Sequence, residues 1–371
     1  MEELTGAGAK VKCAGEAPFT RPILQIAGCN IMTSLRVALI GCGLVSEAHI
    51  YGYARHADRA KITVCCDRDP ERAEQKAALA GGARVVTSVE QALDDPDVDA
   101  VEVCTPHHLH TDLVVAAAKA GKHILCQKPL AKTIAECDAM IAAAKDAGVV
   151  LYYGETNRTM DSAVLAKAVI AEGRIGQMVG LQATAAYWQG GVWLGTAWRY
   201  DPVVAGGGQL LDGGIHAIDV MINLGGAIES LTCAVTRFRP ELGGEDTSIL
   251  GVRFEGGQLG TLFSSHAVGS GIFGSACAVF GTEGALAMGG PHGALTLYRK
   301  DLPDGREVLL ESWGNTFSAM IGRYLDTVLD GAPNPSPGES GRENLRVVLA
   351  GYEAAQTGRE VTLRDWRPEE A

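Results

Sequence analysis

The stretch LRVALIGCGLVSEAHI, residues 35–50, decides the fold class expected for the first half of the chain. LRVALI is an apolar run typical of a buried strand, and Gly41-Cys42-Gly43 is a glycine turn. The residues after the turn have a helical pattern, so the stretch predicts a strand, a tight turn and a helix in that order. A βαβ unit begins in this way.

The same alternation continues to about Gly154. Short apolar segments such as KITVCC (61–66) and HILC (123–126) alternate with helical segments, which predicts a parallel sheet covered on both faces. Further along, strand-like segments such as SLTCAVTRF (230–238) and TSILGVRF (247–254) follow one another without intervening helices. That second pattern predicts an antiparallel sheet.

Composition places the chain among globular proteins and argues against nucleic-acid and membrane partners. Of its 371 residues, 47% are hydrophobic and 20% are charged, and the formal net charge is −12. The sequence has no basic run of five residues, whereas binding to phosphate backbones requires clustered Lys and Arg. It also has no stretch of about 18 consecutive apolar residues, the length that a membrane-spanning helix requires.

The ten cysteines show neither metal-ligand spacing nor a CxxC motif. Several lie inside apolar segments, as free cysteines do in a reducing compartment. We therefore expect no metal site, no disulfide framework and a cytoplasmic location.

Residues 1–33 differ in composition from the rest of the chain. Their acidic start and the short apolar patch PILQIAG (22–28) are unlike a secretory signal. We interpret them as a disordered extension, or as sequence that lies upstream of a functional start at Met32.

The glycine turn has the sequence context of a dinucleotide site. Residues 41–46, GCGLVS, follow the pattern G-x-G-x-x-G with serine in the third place, and the first two glycines allow a pyrophosphate to approach the helix N-terminus. Asp67, 21 residues after Ser46, is placed to bind the adenosine ribose and to repel a 2′-phosphate. This favours NAD over NADP, although Arg68 leaves NADP open. The predicted cofactor contacts here are Gly41, Gly43, Leu44, Val45, Asp67 and Arg68. A glycine turn without a ligand is the alternative.

A second constellation lies in GGGQLLDGGIHAIDV, residues 206–220. Asp212 and His216 are four residues apart, so in a helix both side chains lie on one face and can meet. An acid and an imidazole beside a nucleotide fold suit proton transfer from an alcohol whose hydride goes to nicotinamide. The alternative is an ordinary surface pair of side chains on a helix.

Aromatic residues are concentrated just before this segment. Five of them occur within 14 residues, and they are Tyr187, Trp188, Trp193, Trp198 and Tyr200. Aromatic faces suit the C–H side of a sugar ring, while core packing or a subunit interface is the alternative. Arg199 is a candidate clamp for an anionic group, but a neutral polyol is favoured.

Four segments in the same order resemble the Gfo/Idh/MocA family of oxidoreductases. They are VALIGCG (37–43), TPHHLHTDLVVAAAKAGKHILCQKPLA (105–131), the pair Trp198-Arg199, and GGGQLLDGGIHAIDV (206–220). The resemblance implies an α/β protein with two domains. An N-terminal Rossmann dinucleotide-binding domain covers residues 34–154, and a C-terminal α/β domain with a large open, mostly antiparallel sheet covers residues 155–371.

The resemblance also implies an activity and its residues. Lys128 matches the lysine of the family's E-K-P motif, and Asp212 and His216 match the acid and histidine of its G-G-G-x-x-x-D-x-x-x-H motif. The implied reaction is NAD(P)-dependent oxidation of a secondary alcohol on a sugar or cyclitol. His216 acts as general base, Lys128 binds the reacting oxygen, and Asp212 holds the substrate and the histidine.

Further positions follow from the same match. On the cofactor side the implied residues are Thr105, Pro106, His107, His110, Gln127 and Lys128. For His107 the alternative is that it only fills a polar loop. In the substrate pocket the implied residues are Asn157, Arg158, Trp198 and Arg199, and the aromatic cluster adds Trp188. A structural role for Asn157 and Arg158 is the equal alternative.

Gln127 departs from the family pattern, which has glutamate at this position. The amide still donates and accepts hydrogen bonds, but it gives Lys128 no neighbouring negative charge. We expect Lys128 to lose its proton more readily than in relatives with glutamate. An unchanged pH profile of activity in Gln127→Glu would contradict this.

The open sheet predicts a homodimer or homotetramer, because an uncovered apolar face needs a partner. Two other functions use the same features. One is an NAD-using glycoside hydrolase or lyase that oxidises its sugar transiently, and the other is a non-catalytic NAD-binding regulator.

Overall fold

The computed structural model of this protein describes residues 34–190, 196–269, 274–289, 294–312 and 314–368. The prediction of a disordered extension at residues 1–33 and the aromatic side chains of Trp193 and Tyr200 lie outside what is described.

The first half of the chain forms a six-stranded sheet in which every pair of neighbouring strands is parallel. Its strands are β1 (Leu35–Ile40), β2 (Ala60–Cys66), β3 (Arg84–Val86), β4 (Ala100–Val103), β5 (His123–Gln127) and β6 (Leu151–Gly154). The spatial order β3-β2-β1-β4-β5-β6 is that of the Rossmann fold, which confirms the predicted class.

The connections between these strands are helical. They are α1 (Leu44–Ala54), α2 (Pro70–Leu79), α3 (Val89–Leu93), α4 (His110–Lys119) and α5 (Ile134–Ala147). Local chemistry fixes where the helix after Lys128 begins and ends. Thr133 and Glu136 form a reciprocal capping box at the start of α5, and Gly148 ends it with a φ of 67°.

The second half of the chain forms a nine-stranded sheet. Its strands are β7 (Met178–Ala186), β8 (Ile228–Thr236), β9 (Thr247–Phe254), β10 (Leu259–Ser265), β11 (Gly274–Gly281), β12 (Ala285–Gly289), β13 (Ala294–Tyr298), β14 (Arg306–Leu310) and β15 (Val361–Thr362). The order is β14-β13-β12-β11-β7-β10-β9-β8-β15, and within it only β7 and β10 pair in parallel. The predicted large, mostly antiparallel sheet is confirmed.

The two faces of this sheet differ in what covers them. Alternate residues such as Leu250, Val252 and Leu262 are buried against helices. The opposite face exposes a group of large apolar side chains, Ile249, Leu259, Phe263 and Phe280. In the described part of the chain these side chains form an apolar outer face.

Five helices belong to the second half of the chain. They are α6 (Asp161–Ala171), α7 (Pro202–Ala205), α8 (Ile215–Gly225), α9 (Thr316–Asp330) and α10 (Gly338–Thr357). One of them returns to the first sheet. Met320, Ile321 and Tyr324 of α9 are buried in the same core as Leu35 and Leu39 of β1. No helix in the described ranges combines the length and apolar character needed to cross a bilayer.

Candidate active site

The glycine turn after β1 has the shape of a dinucleotide cradle. Gly41 has a φ of 93°, and a Cβ there would lie 2.7 Å from the carbonyl oxygen of Cys104. A Cβ on Gly43 would meet nothing within 4 Å. Gly43 also precedes α1 without any side chain capping the helix. Free N–H groups at a helix N-terminus beside open space fit the pyrophosphate of NAD.

Asp67 directly follows β2 and lies next to this turn. Its carboxylate accepts hydrogen bonds from the backbone N–H of Cys42 at 2.8 Å and of Asp69 at 2.9 Å. The predicted ribose-binding carboxylate therefore adjoins the cradle, and Arg68 beside it is exposed. Leu44 and Val45 form the first turn of α1.

The loop after β4 carries Thr105, Pro106, His107 and His110. The ring of His110 contacts the carbonyl oxygens of Thr105 at 3.0 Å and of Pro129 at 3.0 Å. This histidine ties the loop to the turn that holds Lys128. His107 instead contacts the carbonyl oxygen of Ala205 at 2.8 Å and packs edge-on against Trp198.

Lys128 follows β5 and meets a carboxylate from the second half of the chain. Its Nζ lies 2.9 Å from Asp212 Oδ1, and Arg199 Nη1 lies 2.5 Å from Asp212 Oδ2. Burial alone would raise the pKa of Asp212, but Lys128 and Arg199 hold it well below its usual value. Asp212 is therefore a permanent anion between two cations.

Asp212 lies in a π-helical turn, Leu210–Gly214, that runs directly into α8. The glycines before it allow close packing, because a Cβ on Gly208 would lie 2.2 Å from the carbonyl oxygen of Glu245. The segment is helical as expected, but its first turn is wider than an α-turn. Such turns occur frequently at functional sites.

His216, the second residue of α8, has a partner that the sequence analysis missed. Its Nδ1 lies 2.7 Å from Oε1 of Glu155, which is fully buried. The hydrogen bonds of Asp212 and His216 thus go to different residues, Asp212 to Lys128 and Arg199 and His216 to Glu155. Glu155 directly follows β6, so its place at the carboxyl end of a parallel strand was the available signal.

A polar pocket adjoins this cluster. Its lining side chains include predicted residues and others that motif reasoning did not find, and they are His107, Gln189, Arg199, Gln209, Glu245 and His266. His266 Nε2 lies 3.0 Å from the hydroxyl of Tyr187. Burial and nearby cations lower the pKa of His266 to about 4, although Asp212 opposes the shift. Because these residues come from distant strands and loops, no local pattern joins them.

Three predicted residues have contacts of a different kind. Arg158 binds buried Asp219 and the Ser340 hydroxyl, and the backbone N–H of Asn157 donates to Glu155. These contacts belong to the protein framework. Trp188 is half exposed and stacks against Arg239 at 3.9 Å.

The Gln127 amide faces away from the lysine beside it. Its Nε2 lies 2.7 Å from Nε2 of His49 in α1. Nδ1 of the same histidine lies 2.8 Å from Oε1 of Glu102. Gln127 thus belongs to a buried polar group behind the cofactor cradle, while Lys128 pairs with Asp212.

The fold and the cradle define an NAD-binding oxidoreductase. Residues 35–155 match the oxidoreductase family with an NAD-binding Rossmann fold, and residues 164–287 match the GFO/IDH/MocA C-terminal domain. The chain belongs to the GFO/IDH/MocA family and is an NAD(P)-dependent oxidoreductase of the branch that includes sugar and cyclitol dehydrogenases.

Relatives and solved structures agree with this assignment. The chain is 32% identical to 1,5-anhydro-D-fructose reductase of Ensifer adhaerens over 337 residues, covering 87% of this chain and 97% of that enzyme. It is 34% identical to levoglucosan dehydrogenase of Pseudarthrobacter phenanthrenivorans over 218 residues, covering 57% of this chain and 56% of that enzyme. A structure of levoglucosan dehydrogenase in complex with NADH and levoglucosan superimposes with a TM-score of 0.81 at 26% identity, covering 90% of this chain and all (100%) of that one.

Proposed function

We propose that this enzyme oxidises a secondary alcohol of a neutral sugar or cyclitol, with His216 as general base and Lys128 and Asp212 assisting. One observation carries the proposal. The Lys128–Asp212–Arg199 cluster and His216 lie at the carboxyl edge of the sheet that holds the cofactor cradle. Ligands of open α/β sheets bind at this edge.

Each side chain has a defined part in the reaction. The ammonium of Lys128 donates a hydrogen bond to the hydroxyl oxygen and stabilises the negative charge that develops on it. His216 accepts the hydroxyl proton through the ring nitrogen that does not face Glu155. Asp212 holds Lys128 and Arg199 in place and offsets part of their positive charge. NAD supplies the hydride acceptor.

The pocket supports a neutral substrate. The guanidinium of Arg199 already neutralises Asp212, and further polar groups of the lining include Gln189, Gln209 and Glu245. Amides and carboxylates of this kind bind hydroxyl groups. Edge contacts of Trp198 with His107 add an aromatic wall. The carboxylate of Asp67 makes NAD the preferred cofactor over NADP.

The test is a panel of polyols and sugars, including levoglucosan and inositols, with NAD and with NADP. Absorbance of the reduced cofactor reports turnover. We expect NADH formation with at least one neutral polyol and a smaller kcat/KM with NADP. Cleavage of a glycoside without net NADH formation would favour the hydrolase or lyase alternative, and the absence of any cofactor-dependent turnover would contradict both.

We further propose that the apolar outer face of the nine-stranded sheet joins two copies of the chain. Phe263 lies opposite Ile249 in the pairing of β10 with β9, and both side chains are exposed. Light scattering after size exclusion should give a homodimer or homotetramer. Phe263→Asp should lower the mass to that of a monomer, whereas Leu79→Asp at the end of α2 should not. A monomeric native protein would contradict this proposal.

A further inference from the structure

Glu155 is a buried carboxylate at the edge of the first sheet where the candidate catalytic groups lie. It follows β6 directly, while Lys128 follows the neighbouring strand β5. Its exposed fraction is 0%, and a buried carboxylate is costly unless its charge has partners. The partners of Glu155 therefore indicate what the carboxylate does.

One oxygen of Glu155 has two donors. Oε1 lies 2.7 Å from Nδ1 of His216 and accepts a hydrogen bond from the backbone N–H of Asn157 at 2.9 Å. The other oxygen, Oε2, is buried and has no hydrogen-bond partner among the described residues. The imidazole of His216 is thus the one side chain that the described structure hydrogen-bonds to this carboxylate.

The charge state of Glu155 decides the tautomer of His216. Burial opposes ionisation, but His216 and the Asn157 N–H together hold the pKa of Glu155 below its usual value. An ionised carboxylate only accepts hydrogen bonds, so Nδ1 of His216 carries the proton. The lone pair is then on Nε2, and the side chain of His216 is 25% exposed, so this nitrogen can be reached from outside the core.

The other charged groups that act on Glu155 are Lys128, Arg158 and Asp219. Lys128, which follows β5, lowers the pKa of Glu155, as His216 does. Asp219 of α8 is bound by Arg158 and Asn344. The hydroxyl of Tyr153 is buried and un-ionised. The Arg158–Asp219 pair is internally neutral, so Glu155 is the carboxylate that pairs with His216.

We propose that Glu155 is a positioning residue for the base, holding His216 with its Nε2 lone pair toward the substrate hydroxyl and stabilising the imidazolium that forms. This inference rests on the proposed function. In the oxidation, the hydroxyl proton moves to Nε2 and the carbon-bound hydrogen leaves with two electrons to the nicotinamide. Glu155 stays unprotonated throughout, so His216 and Glu155 form a charge-paired dyad.

The decisive variant is Glu155→Gln. Its amide oxygen can keep the contacts to His216 and Asn157, so the substitution removes the charge and little of the shape. We expect kcat/KM to fall at least tenfold and the acidic limb of its pH profile to move about one unit to lower pH, because the imidazolium loses its counter-charge. Glu155→Asp restores the charge and should return the limb toward its original position.

Two further variants separate this inference from the proposed function. His216→Asn should abolish the acidic limb, and Asp138→Asn, which removes a carboxylate on the exposed side of α5, should leave it unchanged. NAD titration confirms that each variant is folded. If His216→Asn removes the limb while Glu155→Gln leaves rate and limb unaltered, the positioning role is overturned and the base assignment stands. If His216→Asn retains activity and limb, the base assignment itself is wrong.

Discussion

The ammonium of Lys128 lies 2.9 Å from the carboxylate of Asp212, although 84 residues separate them in the chain. Lys128 follows the fifth strand of the parallel sheet, and Asp212 lies in the π-helical turn before α8. The contact therefore joins the cofactor-binding half to the half that carries the pocket. We expect a substrate of the proposed reaction to bind between the two halves.

Replacing Lys128 by methionine should reduce kcat by roughly 100- to 1000-fold, because the developing oxyanion loses its charged donor. Asp212 keeps Arg199 as a partner, so the fold and NAD affinity should persist. Lys132→Met is the matched control, since its ammonium contacts only the Val203 carbonyl at the surface among the described residues. Steady-state kinetics with calorimetric NAD binding measures both effects. A kcat for Lys128→Met within twofold of the native value would contradict the assignment.

Alanine at the two glycines of the cradle should have opposite effects. Gly41→Ala should lower the free energy of unfolding by more than about 1–2 kcal/mol, because a positive φ and the Cys104 carbonyl oxygen both oppose a Cβ. Gly43→Ala has space for its Cβ and should change stability by less than about 0.5 kcal/mol. It should still weaken NAD binding, because the methyl group occupies the space a pyrophosphate would enter. Urea unfolding without cofactor and NAD titration test the pair, and equal NAD affinity in Gly43→Ala would show that the cofactor approaches elsewhere.

Removing Arg158 should destabilise the protein without affecting substrate recognition directly. Arg158→Ala leaves Asp219 buried without its cation, which costs about 3–5 kcal/mol. Arg342→Ala breaks an exposed pair with Asp138 and should cost less than about 1 kcal/mol. Urea unfolding gives both values. A stable Arg158→Ala enzyme with a raised KM for its polyol would instead support the predicted role in the substrate pocket.

The buried ring of His266 should make the protein sensitive to mild acid. Its folded-state pKa of about 4 lies below the ordinary value of 6.5, so the unfolded chain binds the proton first. Stability from this group is complete above pH 6.5 and is lost as pH falls toward 4, by about 3 kcal/mol in total. His266→Gln should flatten the dependence of unfolding free energy on pH across that interval, whereas the exposed His108→Gln should not. An equally steep curve in both variants would place the acid sensitivity in another group.

Local sequence patterns were sufficient to predict the architecture. Three features of the cofactor-binding half are close in sequence, namely the apolar run of β1, the turn at Gly41 and the acid at Asp67. The geometry required at each of them is met by few residue types. The later strand-like segments, which follow one another without intervening helices, likewise predicted a second, mostly antiparallel sheet. We could identify Lys128, Asp212 and His216 from the sequence because their residue types and spacing match the motifs of the family.

Tertiary structure alone decided how these residues pair. The sequence placed Asp212 and His216 on one helical face, whereas the π-helical turn and the ends of β5 and β6 give each a different partner, Lys128 for Asp212 and Glu155 for His216. Tertiary structure also decided the position of His266, which directly follows β10 and lines the pocket. Such contacts depend on how separate strands end at one sheet edge, and sequence periodicity specifies the strands but not which side chains meet across them.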